Sequence, residues 1–380
     1  MLKIPVWPYA DQKEEEKLKE VLDSSVWWRN PGTQVKAFEQ EYAAFCQCNG
    51  AVSTANGTVA IEIALKALKI GHGDEVIVPA FTFYSTVSAV LAVGAVPVLV
   101  DVSARDYCIN AESVRKEISD RTKAVIVVHM AGNMVDMDAI NAVAGEYGLY
   151  VIEDAAHAHG AEYKGKKAGS LGTCGTFSFQ NAKLLTAGEG GMITSNDKKF
   201  LETAFLESNC GRAEGDTDYQ HVLVGTNARL SEFQGAVLRI QLSRLEEQLK
   251  RREDNYQYLK MQLEKIDGIV LQRIGEDVTL NSHYMVMFYY DERYFNGSRQ
   301  EFVQYLRENG IPCNRAFEAL HRLPVFRSLK KDQFRIAKED GCLNSEKIAD
   351  TVVCLNHNIL LGDKALMEEI ADIIMCYRKG

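Results

Sequence analysis

Four short apolar runs, each followed by a stretch of helical character, constrain the fold of this chain more than any other feature. They are Glu75–Pro79, Val96–Asp101, Lys123–Val128 and Tyr150–Asp154. Strands that are apolar throughout and alternate with helices are typical of a mostly parallel sheet covered on both faces. The sequence therefore predicts an α/β fold, and functional residues are expected at the carboxyl ends of these strands.

The chain of 380 residues is longer than one ordinary domain, and a second region begins near residue 230, with a soft boundary over residues 245–265. From Ser231 to about Ile266, leucines at near-helical spacing among many charges predict a long exposed helix. The remainder mixes strands, as at Tyr284–Tyr290, with helices, as at Arg299–Glu308. We expect a large domain over residues 1–250, including an N-terminal arm, and a smaller α/β domain over residues 251–380.

Composition and charge argue against several classes of protein. With 46% hydrophobic residues the chain can bury a sizeable core, so disorder is not expected. A net charge of -9 argues against nucleic acid as the main partner. The longest apolar run, near Val87–Val100, is too interrupted to span a membrane. Nine scattered cysteines form no CxxC pair and the histidines show no metal spacing, so we expect reduced thiols, no metal and a cytoplasmic location. The first twenty residues contain no apolar segment of the secretory type, so no secretory signal is expected.

The segment Thr176–Gly191 contains the most informative residue, Lys183, between a strand-like run and glycine-rich turns. A lysine is usually a solvated surface residue. A desolvated amine, however, has a lowered pKa and can react with a carbonyl group. Ser178, five residues earlier, adds a hydroxyl donor. The surrounding sequence has to decide between the two interpretations.

Three further features favour a reactive lysine. Asp154 ends a buried strand, where an acid can pair with a pyridinium nitrogen, although a capping or ion-paired aspartate is the simpler alternative. Gly57 and Thr58 begin a helix, whose free N–H groups favour a phosphate. On its own, Asn56-Gly57-Thr58 is an ordinary helix N-terminus. Phe83 follows a strand and could stack on a flat ring or belong to the core.

Together these pieces resemble fold-type I pyridoxal-phosphate enzymes and, more narrowly, the DegT/DnrJ/EryC1/StrS sugar aminotransferase family. The resemblance covers nearly the whole chain and includes Glu153–His157, Ser178–Gly191 and Gly225–Glu232. It implies a large domain with a mostly parallel central sheet and a smaller C-terminal α/β domain. It also implies the cofactor pyridoxal 5′-phosphate, which alternates with its amine form, and a homodimer with shared active sites.

The resemblance further implies roles for individual residues. Lys183 would bond covalently to the cofactor, and Asp154 would pair with its pyridine nitrogen. His157 would lie near the cofactor ring and its 3-hydroxyl, and Phe83 would stack on the ring. The phosphate would be bound by Gly57, Thr58 and Ser178, joined by Asn227 from a second subunit.

Candidate substrate contacts come from charged and aromatic residues elsewhere in the chain. Arg212 and Arg229 could hold a carboxylate or phosphate through a two-pronged contact, or each could be a surface or interface arginine. His129 and His159 follow strand ends and could touch substrate or serve a structural role. Tyr284, in the smaller domain, is a weaker candidate.

The predicted activity is transfer of an amino group from glutamine or glutamate to a keto-sugar or keto-cyclitol in secondary metabolism, such as antibiotic biosynthesis. Several motifs, including Phe177–Lys183 and Asn281–Met285, also resemble the 3-amino-5-hydroxybenzoate synthase branch of the family, which dehydrates and aromatises an amino-cyclohexenone. Both reactions begin with the same steps, so the alternative stays open. A non-catalytic regulator is disfavoured, because it has no need of Lys183, Asp154 and Ser178 together.

Overall fold

The structure is a computed structural model that describes residues 2–330, 332–337 and 341–379. Its helices are α1 (Gln12–Ser24), α2 (Gln34–Phe45), α3 (Gly57–Ala67), α4 (Ser85–Ala92), α5 (Ala111–Glu117), α6 (Met137–Tyr147), α7 (Lys198–Ser208), α8 (Glu232–Leu263), α9 (Arg299–Glu308), α10 (Leu343–Thr351) and α11 (Lys364–Cys376). Its strands are β1 (Gly50–Thr54), β2 (Glu75–Pro79), β3 (Val96–Val100), β4 (Thr122–Val128), β5 (Tyr150–Asp154), β6 (Glu162–Tyr163), β7 (Lys166–Lys167), β8 (Cys174–Ser178), β9 (Gly191–Ser195), β10 (Ile269–Leu271), β11 (Val278–Leu280), β12 (Met285–Tyr290), β13 (Cys313–Arg315), β14 (Arg335–Ile336) and β15 (Val352–Asn356).

Eight of the strands in the described residues form one large sheet, in the order β1-β9-β8-β5-β4-β2-β3-β14. Neighbouring strands run parallel from β8 to β14, whereas β9 is antiparallel to both β1 and β8. The four apolar runs of the sequence are β2 to β5 of this sheet. The predicted α/β fold with a mostly parallel central sheet is therefore confirmed.

Hydrophobic clusters cover both faces of the large sheet. In β4, Val125 and Val127 belong to one cluster, whereas Ala124 and Ile126 belong to the other. Successive side chains of a strand point to opposite faces, so a strand covered on both faces has to be apolar at every position. Complete burial of each such valine or isoleucine contributes about 1.5–3 kcal/mol. This double burial explains the continuous apolar runs in the sequence.

The register of the sheet brings several strand ends to one edge. Val128 at the end of β4 pairs with Asp154 at the end of β5. Thr54 at the end of β1 and Ser178 at the end of β8 both pair with Gly191 in the strand between them. The start of α3 and the loop after β8 therefore lie side by side at the carboxyl edge, close to Asp154.

A second sheet is entirely antiparallel, in the order β10-β12-β15-β13. Helices α9 and α11 pack on it through a third hydrophobic cluster. The long helix predicted from the leucine spacing is present as α8, but the expectation that it is exposed is wrong. Leu238, Leu245 and Leu259 are completely buried, because α8 packs against α2 and α11.

The division of the chain at residue 250 stays a prediction. Helix α8 continues across that position without a break, and β14, from the C-terminal part of the chain, adds to the edge of the large sheet. Limited proteolysis would show where the chain separates into stable pieces. Among the described helices, none combines the length and apolar character needed to cross a bilayer.

Candidate active site

A cleft of about 610 Å³ lies at the carboxyl edge of the large sheet. Tyr284 and Phe317, from the C-terminal part of the chain, form part of its wall. Its lining includes seven of the residues that the sequence singled out, Gly57, Thr58, Phe83, Asp154, His157, Ser178 and Lys183. The fold therefore gathers most of the predicted site residues around one space.

Asp154 is the last residue of β5 and is almost completely buried. The Thr86 hydroxyl donates a hydrogen bond to its Oδ2 at 2.8 Å, and the Ala156 N–H donates to its Oδ1 at 3.3 Å. Burial raises the pKa of the Asp154 carboxyl, although both donors and the nearby Lys183 amine oppose this effect. A cationic partner in the cleft would stabilise the buried carboxylate, so Asp154 is suited to hold a protonated ring nitrogen.

Lys183 lies in the loop between β8 and β9, with its side chain in the cleft. Its Nζ is 4.6 Å from the centroid of the Tyr284 ring. Burial lowers the pKa of the Lys183 amine from 10.5 to about 8, and the attraction of Asp154 offsets this only in part. About a tenth of the amine is therefore neutral and nucleophilic at pH 7, far more than for a solvated lysine.

His157 contributes an aromatic face and an unpaired nitrogen. Its ring stacks on Tyr284 with the centroids 4.2 Å apart and the planes 17° from parallel. Its Nδ1 is buried and has no hydrogen-bond partner within the described residues. Burial, together with Lys183 and His159, lowers the pKa of His157 well below its usual value, so the ring is neutral. Buried polar atoms are normally satisfied, so this nitrogen is available to a ligand.

Hydroxyl groups converge on the N-terminus of α3. Asn56 caps this helix through its side-chain oxygen, and the Thr58 hydroxyl donates to Ser85 Oγ at 2.7 Å. Gly57 leaves no room for a side chain, because a Cβ there would lie 2.7 Å from the Ser178 Cβ. Free N–H groups at a helix N-terminus and nearby hydroxyls together form a cradle for an anion such as phosphate.

Phe83 is 55% exposed and lines the cleft. Its ring is 6.0 Å from that of Phe317, which in turn is 6.1 Å from the His157 ring. The alternative that Phe83 belongs to the core does not fit this exposure. An exposed ring at this position can stack on a flat ligand.

Two histidines that the sequence offered as substrate contacts are engaged with protein groups. His129 is completely buried, with a backbone N–H donating to Nδ1 at 3.2 Å and Nε2 3.0 Å from Glu153 Oε2. His159 accepts from the Tyr42 hydroxyl at 2.8 Å and donates to the Ser178 carbonyl at 2.9 Å. Neither residue lines the cleft. The geometry favours structural roles for both, contrary to the expectation for His129.

Three predicted residues lie away from the cleft of their own chain. Arg212 forms an ion pair with Asp216, with Nε and Oδ2 2.7 Å apart. Arg229 donates to Asn209 Oδ1 at 3.1 Å. Asn227 is exposed on the bridge that it forms with Asn209. Their assignments as substrate and phosphate contacts stay predictions, and for Asn227 the prediction concerns the cleft of a second subunit.

Several functional neighbours were missed from the sequence. Thr86 bonds to Asp154, Ser85 bonds to Thr58, and Phe317 lines the cleft. Ser85 and Thr86 lie two and three positions after Phe83, at the start of α4, so the segment that follows β2 was the signal that could have found them. Phe317 lies in an irregular segment of the C-terminal part, and no local pattern marks it.

Residues 8–374 of this chain match the DegT/DnrJ/EryC1/StrS aminotransferase family, which is nearly the whole length. The chain belongs to that family. This DegT/DnrJ/EryC1/StrS protein is therefore a pyridoxal-phosphate-dependent enzyme of the aminotransferase class, as the sequence predicted.

Several relatives of this family member match it over more than nine-tenths of their own length. The 3-amino-5-hydroxybenzoate synthase of Amycolatopsis mediterranei is 42% identical over 379 residues, which covers 97% of this chain and 96% of the relative. The L-glutamine:2-deoxy-scyllo-inosose aminotransferase of Streptoalloteichus tenebrarius is 33% identical, with 97% and 92% covered. The crystal structure of a 3-amino-5-hydroxybenzoic acid synthase matches with a TM-score of 0.93 and 40% identity, covering 99% of this chain and 98% of the other.

The cleft of this family member fits pyridoxal phosphate on the evidence of its own residues. The cradle at α3 suits a phosphate, Asp154 suits a ring nitrogen, and Lys183 supplies a reactive amine. The unpaired Nδ1 of His157 is an atom for which the described residues offer no other partner. Over the residues that the structure describes, no group of three or more histidine, cysteine, aspartate or glutamate side chains is arranged to hold a metal ion.

Proposed function

We propose that this enzyme transfers an amino group from glutamine or glutamate to a keto-sugar or keto-cyclitol in secondary metabolism, such as antibiotic biosynthesis. The observation that carries the proposal is the position of Lys183, whose pKa is lowered to about 8, in the same cleft as the buried Asp154. A relative that is 33% identical is named for both glutamine and an inosose, which supports this donor and this class of acceptor.

Lys183 would act as both base and acid in the reaction. When bound, pyridoxal phosphate supplies an aldehyde that captures the donor's amine and an electron-withdrawing ring that stabilises charge on the α-carbon. The Lys183 Nζ would remove the proton from that carbon and deliver it to the cofactor carbon that had carried the aldehyde. A general base works best with a pKa near the working pH, and burial gives Lys183 such a value.

The other residues of the cleft would hold the cofactor and orient it. Asp154 would keep the pyridine nitrogen protonated, and Thr86 would fix the direction of the carboxylate through its hydrogen bond. Neutral His157 would present its unpaired Nδ1 and its ring. Ser178 would help to bind the phosphate, and His159 holds the Ser178 carbonyl in place from behind.

The walls of the cleft suit a hydroxylated ring. A volume of about 610 Å³ falls within the range of small-molecule sites. Lys183 is the one cation among the described lining residues, and Asp154 and Glu189 are the acids. Most of the remaining polar lining consists of hydroxyl and amide groups. Of these, Gln180 and Tyr284 lie outside the phosphate cradle, and they would hydrogen-bond the hydroxyls of a sugar or cyclitol.

A second candidate function is dehydration and aromatisation of an amino-cyclohexenone, as in 3-amino-5-hydroxybenzoate synthases. It is supported by the 42% identity to such an enzyme and by the TM-score of 0.93 to a solved structure of one. The same Lys183 chemistry would start both reactions. The nature of the substrate then decides whether an amine or an aromatic product leaves.

Spectra of the purified enzyme with amino acids distinguish the two candidates. Glutamine or glutamate alone should lower the band near ~420 nm and raise one near ~330 nm, because the amine form of the cofactor lacks the extended conjugation. If no common amino acid changes the spectrum, while an amino-cyclohexenone acid is aromatised, the second candidate replaces the first. Borohydride reduction followed by peptide mapping should find the cofactor on Lys183, and another position would overturn the assignment of the site.

The enzyme would act as a homodimer with shared active sites. Asn227 is exposed rather than turned into its own cleft, and the segment before it carries exposed apolar side chains. Val224 is 97% exposed, Tyr219 is 71% exposed and Val222 is 66% exposed. Exposed apolar groups that cluster in this way are typical of an interface between subunits. Light scattering of the purified chain should give the mass of two subunits.

The proposed location is the cytoplasm. The nine cysteines are free thiols in the structure, and most of them are buried. Reduced thiols are typical of a reducing compartment. Fractionation of cells that produce the protein would test the location, and recovery from a secreted fraction would contradict it.

A further inference from the structure

The main chain of the lysine loop is held by two side chains from distant parts of the sequence. The Trp7 indole Nε1 donates a hydrogen bond to the Lys183 carbonyl at 3.1 Å. The His357 Nε2 lies 3.1 Å from the carbonyl of Ala182. Two successive carbonyls, one of them that of the reactive lysine, therefore each meet a ring nitrogen from outside the loop.

Arg252 determines which nitrogen of His357 carries the proton. Its Nη2 lies 3.3 Å from His357 Nδ1, and a guanidinium can only donate. His357 Nδ1 must therefore accept, which places the ring proton on Nε2, facing the Ala182 carbonyl. Burial and the charge of Arg252 lower the pKa of His357 well below its usual value, so the ring stays neutral in this orientation.

Arg252 is a buried cation with few partners. Its side chain is completely buried, burial lowers its pKa to about 9, and its Nε and Nη1 have no hydrogen-bond partner within the described residues. It contacts the His357 nitrogen and the face of the Trp7 ring, whose centroid lies 5.3 Å from the guanidinium carbon. Trp7 also packs edge-on against the His357 ring at 4.9 Å. A buried charge with little compensation costs stability, and both contacts lead to the lysine loop.

We propose that Trp7, His357 and Arg252 form a positioning cluster that fixes the main chain of Ala182 and Lys183. The lysine side chain is long and flexible, so a fixed backbone limits the directions from which Nζ can reach its target. Holding a reacting group near its productive geometry raises the rate of an otherwise slow encounter. This inference rests on the proposed role of Lys183 as the residue that bonds to the cofactor.

The first test removes one hydrogen bond and keeps an aromatic ring at position 7. Trp7→Phe in the apoenzyme should slow the covalent attachment of added pyridoxal phosphate to Lys183, measured as growth of the ~420 nm band, by about threefold to tenfold, the range expected for one lost hydrogen bond. The matched control is Trp27→Phe, since Trp27 is exposed and its indole N–H has no partner in the described residues. The control should attach the cofactor at the wild-type rate.

The second test separates hydrogen bonding from packing at His357. A glutamine can donate to the Ala182 carbonyl and accept from Arg252, whereas a leucine fills the space without either bond. If positioning depends on the hydrogen bonds, His357→Gln attaches the cofactor faster than His357→Leu. If His357 only packs, the order is reversed, and the proposal is overturned. Thermal unfolding of each apoenzyme shows which variants are folded.

The outcomes separate this inference from the proposed function. If borohydride fixes no cofactor on Lys183 in the wild-type enzyme, the proposed function is wrong. The positioning cluster would then have no reactive lysine to position. If Lys183 is the attachment site but Trp7→Phe matches Trp27→Phe in rate, the positioning cluster alone is wrong. If Trp7→Phe does not fold, the relative attachment rates of the two His357 variants test the positioning cluster. If the His357 variants do not fold, the attachment rate of Trp7→Phe tests it.

Discussion

The Thr86 hydroxyl and the Asp154 carboxylate are joined by a hydrogen bond of 2.8 Å, from Oγ1 to Oδ2. Thr86 lies in the first turn of α4, and Asp154 ends β5, so the bond links a helix start to a strand end. It opposes the rise in the pKa of Asp154 that burial causes. Thr86 therefore favours the charged form of Asp154, which is the form that the proposed pairing with the pyridine nitrogen requires.

Replacement of Thr86 by valine should weaken cofactor binding. Valine keeps the shape of the side chain and removes the donor to Asp154, so the acid is charged less readily. A hydrogen bond to a charged group contributes about 1.5–3 kcal/mol, which corresponds to a rise in Kd of about tenfold or more. Titration of the apoenzyme with pyridoxal phosphate measures this Kd. Thr203→Val is the control, because Thr203 is half-buried on α7 and its hydroxyl donates to the Lys199 carbonyl of the same helix. Equal affinities for both variants would contradict the role given to Thr86.

Replacement of Gly57 by alanine should open the phosphate cradle. The added Cβ would lie 2.7 Å from the Ser178 Cβ, so Ser178 must move. We expect a loss of about 1–3 kcal/mol in the free energy of unfolding, as for other overpacked sites. Affinity for pyridoxal phosphate should fall more than affinity for pyridoxal, which lacks the phosphate. Gly145→Ala, where the new Cβ meets nothing within 4 Å, is the control, and an equal loss of both affinities would argue against the cradle.

Replacement of Lys183 by methionine should stabilise the apoenzyme in a pH-dependent way. The pKa of Lys183 falls from 10.5 in the unfolded chain to about 8 in the folded one. Between these two pH values the unfolded chain binds more protons than the folded one, so the free energy of unfolding rises with pH. The destabilisation caused by the buried Lys183 is therefore largest below about pH 8. The variant should therefore be about 1–3 kcal/mol more stable at neutral pH. Urea unfolding of both proteins should show this difference shrink toward pH 10.5, and a constant difference would refute the lowered pKa.

Hybrid dimers test whether the sites are shared. Mixing Lys183→Ala chains with Asn227→Ala chains should restore partial activity, because one site of each hybrid carries both changes and the other carries neither. The readout is turnover after subunit exchange has been demonstrated by tagged chains. The control is Lys183→Ala alone, taken through the same exchange procedure, and it should stay inactive. Exchange without recovery would mean that Asn227 does not reach the other subunit's site.

The sequence by itself determined the sheet and the centre of the site. Apolar runs without alternation predicted the strands β2 to β5, because a strand covered on both faces must be apolar throughout. Asp154 was found because it ends such a run, and parallel strand ends meet at one edge of a sheet. Lys183 and the α3 N-terminus were singled out only in combination, through the family resemblance, because a lone lysine and a helix start are each ordinary on their own.

Only the tertiary structure decided which side chains surround those residues. Thr86 and Asp154 are 68 positions apart in the chain, and Trp7 and Lys183 are 176 apart. The burial of α8 and the enclosure of His129 likewise depend on partners from distant segments. Periodicity reports which face of an element is apolar, but it carries no information about what packs on that face. The partners of the reactive lysine are therefore set by packing between segments, which no local pattern records.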